Sequence, residues 1–444
     1  MKSIAILGAL VASSLVGALP LSIRSCSDDC DCNTPESSSS GNSTVVNGTA
    51  PYIAASWIQD FKTNSSSLAT LNFDKYTHMT YGFASTEANG SLTIDSTHED
   101  GLLAFVNLTK QHGVKSLLSL GGWYGGRFFS NLVATPENRT ALTNTILELA
   151  SKYDLDGIEF DWEYPNNTGA CNSFAGADAS NLVSLVQELR NNTAGQDMIL
   201  TSTVSGVLWT GTNATNDPNV LALADNLDYI SIMNYDVFGT FSDFAGPNAP
   251  LDDTCATPEQ QDAGFSAVRA VDAWNQAGVP LNKLVLGIPT YGHSYSVSPS
   301  IATNDNFTTL NTHPGFDNTI HPLGSQDNGS NETFVDVCGV PNPPSGDWDF
   351  AGLVTAGYLN ATGGFNESMT NAHWMFDECA QTPVLYDEGS SVWISYDDPQ
   401  SFRAKGEFIA EKGLAGFAAF EAYGDVNDAM LDAVRAGAGF DQVQ

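Results

Sequence analysis

The stretch Asp156-Gly-Ile-Glu-Phe-Asp-Trp-Glu-Tyr-Pro165 sets apolar Ile158, Phe160 and Trp162 in alternation with acidic Glu159, Asp161 and Glu163. Successive side chains of a strand point to opposite faces, and every second residue on one face is about 6.6 Å from the last. One face of this strand is therefore a ladder of three carboxylates. Burial of charge is costly unless it is paired, and the neighbouring sequence offers no Lys or Arg to neutralise three acids. An ion-paired structural patch is disfavoured for that reason. In a barrel of parallel strands the acids point inward, the apolar residues face the surrounding helices, and Glu163 emerges at the C-terminal rim, where barrel enzymes carry their chemistry. Close carboxylates do not all ionise easily and share protons. A proton retained on Glu163 at mild pH is what a general acid needs. Asp156 has the wrong parity for the ladder, although Gly157 permits a local irregularity.

The rest of the chain supplies the other strands. Apolar runs at 52–57, 78–84, 115–120, 198–204, 227–235, 283–291 and 414–421 join 156–163 to make eight, with helical patterns between them. Leu182, Leu185, Val186 and Leu189 recur at helical spacing, as do Leu142, Ile146, Leu149 and Tyr153. Thr135-Pro136-Glu137 and Thr257-Pro258-Glu259 read as helix starts, and Gly278 with Pro280 as a stop. Eight strands alternating with helices predict an α/β fold, a (β/α)8 TIM barrel. An open doubly wound sheet is the runner-up, without a Gly-rich nucleotide loop after the first strand. The hundred or so residues between Tyr291 and Ser395 are too long for an ordinary connection. They predict an inserted subdomain after the seventh strand, with a Cys338–Cys379 bridge to hold it. The expected layout is a signal peptide at 1–18, a Ser/Asn-rich linker at 19–50, a barrel at 51–291 and 386–436, and the insertion at 292–385.

Here the chain resembles glycoside hydrolase family 18, the chitinases. DGIEFDWEYP is similar to that family's Asp-x-x-Asp-x-Asp-x-Glu signature. Ser119-Leu-Gly-Gly122, Met233-Asn-Tyr-Asp236, Lys283 to Gly292, and Tyr396-Asp-Asp-Pro399 with Gly416 to Asp425 resemble its other strand motifs in order. The resemblance implies a small α+β insertion domain after the seventh strand, and hydrolysis of β-1,4-linked N-acetylglucosamine polymers by a retaining mechanism with no protein nucleophile. By that analogy Glu163 protonates the leaving oxygen and then activates water, while Asp161 holds the acetamido N–H and offsets the positive charge of the intermediate. Tyr235 bonds the acetamido oxygen, Glu159 joins the proton sharing, and Asp236 contacts the sugar. Asp156, Trp57, Trp123, Met233, Tyr291 and Phe420 complete the expected substrate-binding set. Three residues depart from the family pattern: Glu159 stands where Asp is usual, Phe420 where Trp is usual, and His293 where Arg is common.

Composition bounds the remaining classes. Acidic residues outnumber basic ones 51 to 16, a formal net charge of −35, which repels nucleic acid and anionic membranes. Lys2, the apolar run Ile4 to Val16 and Val16-Gly17-Ala18 read as a secretory signal. Many Asn-x-Ser/Thr sequons, Asn328 and Asn331 among them, and seven cysteines fit a secreted, disulfide-bonded glycoprotein. The expectation is an extracellular monomer acting on chitin or chito-oligosaccharide, with no metal, no cofactor and no membrane or nucleic-acid partner. The alternatives are a chitin-binding, lectin-like protein with little or no catalysis, and an endo-β-N-acetylglucosaminidase acting on N-glycans. Glu163 argues against the first, and the long insertion against the second.

Overall fold

The computed structural model describes residues 52–303 and 307–440. The expected signal peptide and linker, with Cys26, Cys30 and Cys32, lie outside the described residues. Eight parallel strands are β1 (Ile53–Gln59), β2 (His78–Thr86), β3 (Lys115–Gly121), β4 (Gly157–Asp161), β5 (Ile199–Ser205), β6 (Tyr229–Met233), β7 (Leu284–Pro289) and β8 (Gly416–Phe420). Each pairs with the next, and β1 pairs with both β2 and β8, so the sheet closes into the expected (β/α)8 barrel.

Local chemistry sets the helices between them. Thr135 accepts the Asn138 N–H and Pro136 occupies the first position of the helix Pro136–Tyr153, an arrangement that satisfies an otherwise orphan donor. The helix Asp178–Asn191 buries Leu182, Leu185, Val186 and Leu189 against the outside of the barrel. Ile158, Phe160 and Trp162 belong to that same outer core. Inside the barrel, Ile53, Ala55, Trp57, Leu117, Tyr229, Val285 and Ala418 make a separate apolar plug. Glu159 of β4 meets this plug at Trp57.

Two strands end earlier than their sequence runs. Pairing of β4 with β5 stops at Phe160–Ser202, and Trp162 stacks on Phe129 with ring centroids 5.3 Å apart. Glu163 is thereby released from the sheet into the mouth. Similarly, β6 ends at Met233, two residues short of Tyr235.

Between β7 and β8 lies the insertion, a five-stranded antiparallel sheet in the order Asp347–Asp349, Tyr291–Ser296, Val392–Ser395, Thr382–Asp387 and Ala372–Asp377. Its own core contains Tyr295, Val297, Leu310, Val384, Tyr386 and Trp393. The expected boundary at 385 is corrected: it falls inside the strand Thr382–Asp387, and the sheet continues to Ser395. The expected Cys338–Cys379 bridge is also corrected. Cys338 pairs with Cys171 and Cys379 with Cys255. Both bridges therefore tie the insertion to barrel loops, the first after β4 and the second after β6, instead of closing it on itself.

Candidate active site

The ladder is arranged as its alternation predicts. Glu159 and Asp161 are 1% and 5% exposed inside the barrel, and Glu163 is half-buried at its mouth. In register, Ser119 and Gly121 of β3 lie opposite Glu159 and Asp161. A glycine is required at 121, since its φ is +109° and a Cβ would sit 2.1 Å from the Asp161 carbonyl oxygen. Close approach of β3 to the acid strand thus explains Gly121, while Gly122, at φ +76°, lies against the Phe83 ring.

Each acid has a distinct setting. The Trp57 indole N–H donates to Glu159 Oε1 at 2.6 Å. The Thr203 hydroxyl of β5 donates to Asp161 Oδ1 at 2.6 Å. Burial pushes Glu159 up to about 8, helped by the Asp161 charge and opposed by the indole. Burial likewise pushes Asp161 up to about 6, against the Thr203 hydrogen bond. Glu163 is raised well above the usual carboxylate range by burial, with the charges of Asp161 and Asp236 adding to it. None of the three has a Lys, Arg or His partner among the described residues. The set therefore holds protons at mild pH.

Glu159 makes its close hydrogen bond to Trp57 and turns toward the plug. Because the folded state binds its proton more tightly than the unfolded chain does, this contribution to stability is full below about pH 4.5 and is lost as pH rises toward about 8. Glutamine keeps an acceptor for the indole and has no charge to bury. Glu159→Gln is thus expected to raise Tm clearly at pH 8 and little at pH 5, read by thermal melts. Equal shifts at both pH values would show that Glu159 is not protonated in the fold.

Above this layer lies an aromatic box. Tyr235 stacks on Phe420 at 5.8 Å, Phe420 leans on Trp57 at 5.9 Å, and Tyr291 stands edge-on to Tyr235 at 6.2 Å and to Phe420 at 6.1 Å. Apolar ring faces with polar tips suit a pyranose, whose two sides are C–H surfaces edged by hydroxyls. Asp236, half-exposed and in the left-handed region at φ +55°, accepts the Tyr291 hydroxyl at 2.6 Å and His293 Nε2 at 2.9 Å. His293 Nδ1 reaches Asp347 of the insertion at 2.8 Å. Burial opposes its charge, but the two carboxylates push His293 up to about 10, so both ring nitrogens donate.

The structure brings Asp161, Glu163, Tyr235, Asp236, Tyr291 and Phe420 together at one mouth, with Glu159 a layer below them, held by Trp57. Met233 ends β6 beside them, partly exposed, and Trp123 projects from the turn Gly122–Gly125 after β3 with 47% of its surface free. Two expected substrate contacts are corrected. Asp156 precedes β4, at the far end from the mouth, where it accepts from Lys115 Nζ at 2.9 Å and from the Ser116 N–H at 3.0 Å. Trp57 is 3% exposed and donates to Glu159 beneath the box, with its indole N–H taken up by that bond and almost no surface free for a ligand. Sequence reasoning missed Thr203, Asp347 and the bridging role of His293. Only His293 carried a signal, its position after Tyr291-Gly292.

Comparison with known proteins agrees with this geometry. Residues 51–425 match the sequence pattern described as Glycosyl hydrolases family 18. A chitinase-like effector of Moniliophthora perniciosa is 38% identical over 410 residues, covering 91% of this chain and 92% of that protein. Chitinase A1 of Niallia circulans is 29% identical over 329 residues, 73% of this chain and 42% of the relative. Among solved structures, a chitinase of Rhizomucor miehei superposes with a TM-score of 0.74 at 27% identity, covering 86% of this chain and 99% of the other.

Proposed function

The chain belongs to glycosyl hydrolase family 18, and from that premise we propose that it hydrolyses β-1,4-linked N-acetylglucosamine polymers with retention, using the substrate's own acetamido oxygen as nucleophile. The observation that carries this reading is the graded ladder, with a proton-holding Glu163 at the mouth and a Thr203-held Asp161 beneath it. Glu163 donates its proton to the glycosidic oxygen as the bond to the anomeric carbon breaks. The acetamido oxygen closes on that carbon, and Asp161 accepts the acetamido N–H and offsets the positive charge that develops. Tyr235 supplies a hydroxyl to the acetamido oxygen. Glu163, now a carboxylate, takes a proton from water as it attacks and opens the ring. Phe420, backed by Tyr235 and Tyr291, is the floor beneath the sugar, and Asp236 is positioned for its hydroxyls by Tyr291 and His293.

Colloidal chitin is the test substrate. Release of N-acetylglucosamine oligomers with the β-anomer formed first, followed by proton NMR, is the expected result. An α-anomer formed first overturns retention, and no product between about pH 4 and about pH 9 overturns hydrolysis. The pH profile itself is predicted. Asp161 must be ionised to offset the intermediate, so kcat/KM falls as pH drops below about 6. The alkaline limb belongs to loss of the Glu163 proton, which burial and the Asp161 charge hold well above the usual carboxylate range.

Binding of the same polymer without turnover is the second reading. It is favoured by Phe420, which offers less stacking area than Trp, and by relatives named chitinase-like effectors. Secretion is part of the proposal, supported by the N-terminal signal pattern and by two disulfides in the fold.

A further inference from the structure

Glu163 lies past the end of β4, so the strand alone does not fix where its carboxyl points. The chain on either side of it is gripped from one short helix, Phe129–Val133, which follows β3. On the N-terminal side Trp162, 2% exposed, stacks on Phe129. On the C-terminal side the grip passes through Asp178. The Ser130 hydroxyl donates to Asp178 Oδ1 at 2.8 Å. Asp178 Oδ2 accepts the Asn166 N–H at 3.3 Å and the Ala175 N–H at 2.7 Å. Beyond Asn166 the loop folds back on the acid, and a Cβ at Gly169 would lie 1.9 Å from the Glu163 carbonyl oxygen.

Asp178 is fully buried, and a carboxylate is tolerated there only while its donors stay in place. It also opens the helix Asp178–Asn191, where an acid suits the N-terminal amides. That role uses neither Ser130 nor Asn166, so helix starting does not account for the arrangement. Asn166 adds a second set of bonds. It holds a left-handed backbone at φ +63°. Its Oδ1 accepts the Ala179 N–H at 3.2 Å, and its Nδ2 donates to the Thr210 carbonyl, after β5, at 3.0 Å. Chain segments that follow β3, β4 and β5 are thus joined three residues past the acid.

We propose that Asp178, with Ser130 and Asn166, is the positioning unit of Glu163, holding the acid where proton transfer to the glycosidic oxygen needs it. The proposal rests on the reading of Glu163 as proton donor and adds what keeps that donor in register. Misplacement by about 1 Å costs such a group up to about 10²-fold in rate.

Asn166-Asn167-Thr168 is a sequon, so Thr168→Ala is carried throughout the test to keep glycan off Asn166. Asp178→Ala removes the acceptor of all three bonds. Asp178→Asn keeps Oδ2 for the two N–H groups and turns its amide toward Ser130, whose hydroxyl accepts as well as donates. For Asp178→Ala, kcat on chitin oligomers should fall by about 10- to 100-fold with KM within about twofold. On an activated aryl glycoside, which departs without the proton, its deficit in bond breaking should be about threefold or less. Asp178→Asn should stay within about threefold of the parent on both substrates. Asn166→Gly keeps the left-handed backbone and loses both side-chain bonds. It should show the same substrate dependence, and it decides the matter if Asp178→Ala does not fold. Unchanged kcat overturns the proposal, as does an equal loss on the two substrates or a loss in Asp178→Asn as large as in Asp178→Ala.

Glu163 itself is followed by carbon-13 NMR of glutamate-labelled protein, its carboxyl signal assigned by its loss in Glu163→Gln. Asp161, Tyr164 and Asp236 act on it, and none is altered in the variants. Its titration should move down toward the ordinary carboxylate range in Asp178→Ala, as water reaches the carboxyl, and stay in place in Asp178→Asn. If the parent turns over neither substrate, the catalytic reading falls and this titration decides the rest. A downward move in Asp178→Ala alone keeps Asp178 as the group that holds Glu163, and no move overturns it.

Discussion

Glu163→Gln is expected to lower kcat on chitin oligomers by about 10²- to 10⁴-fold, the usual contribution of a positioned general acid. Glutamine matches the protonated acid in shape, so the mouth should keep its form and KM should change little. The deficit should depend on the leaving group. An oligosaccharide leaves as a poor alkoxide and needs the proton, whereas an activated aryl glycoside departs with little help. The variant should therefore recover much of its rate in the bond-breaking step on the activated substrate. Steady-state rates on both substrates, with single-turnover bursts to separate the steps, check this. Equal activity of variant and parent on chitin oligomers would remove Glu163 from the reaction.

The barrel was legible because its strands are apolar runs of the right length, spaced by amphipathic helices with ordinary caps. Burial decides such segments locally, and tertiary structure only confirms them. The ladder was legible for the same reason, since period-two alternation fixes which residues share a face. What sequence could not show was depth. Asp156 and Glu163 flank the same strand, yet one is at the bottom with Lys115 and the other at the mouth. Parity excluded Asp156 from the ladder, whereas the family signature drew it into the site. Trp57 looked like a rim aromatic because it stands near the end of an apolar run, but β1 continues to Gln59 and keeps it inside. The disulfides were illegible because pairing depends on how loops of different strands approach one another. Cys338 has Cys379 nearer in sequence but Cys171 nearer in space. Thr203 is one strand hydroxyl among several, and only register with β4 distinguishes it.

The departure at Glu159 and the burial of Trp57 explain each other. A side chain one methylene longer than Asp reaches past the ladder to the plug, and the indole N–H meets it at 2.6 Å. With burial holding a proton on Glu159 up to about 8, its acid is a neutral, anchored group below pH 7. The negative charge of the ladder is then left to Asp161, the member that the proposed intermediate requires.

Asp161→Asn is for that reason the second large effect, an expected loss of about 10²- to 10³-fold in kcat, the scale of removing one preorganised electrostatic group. Asparagine still accepts from the Thr203 hydroxyl, so position is preserved and only charge is lost. Its amide can also present a donor to the acetamido N–H, two donors facing each other. Unlike the loss at Glu163, this one should persist on an activated aryl glycoside, because the positive intermediate forms whichever group leaves. Substrates without the acetamido group give the complementary control, since parent and variant should be equally poor on fully deacetylated oligomers. The pH profile should change too. With no carboxylate at 161 to ionise, the acid limb near pH 6 should disappear while an alkaline limb from Glu163 remains. A variant that kept the acid limb would assign it to another group, and a deficit that vanished on the activated glycoside would place Asp161 in service of proton transfer instead of charge stabilisation.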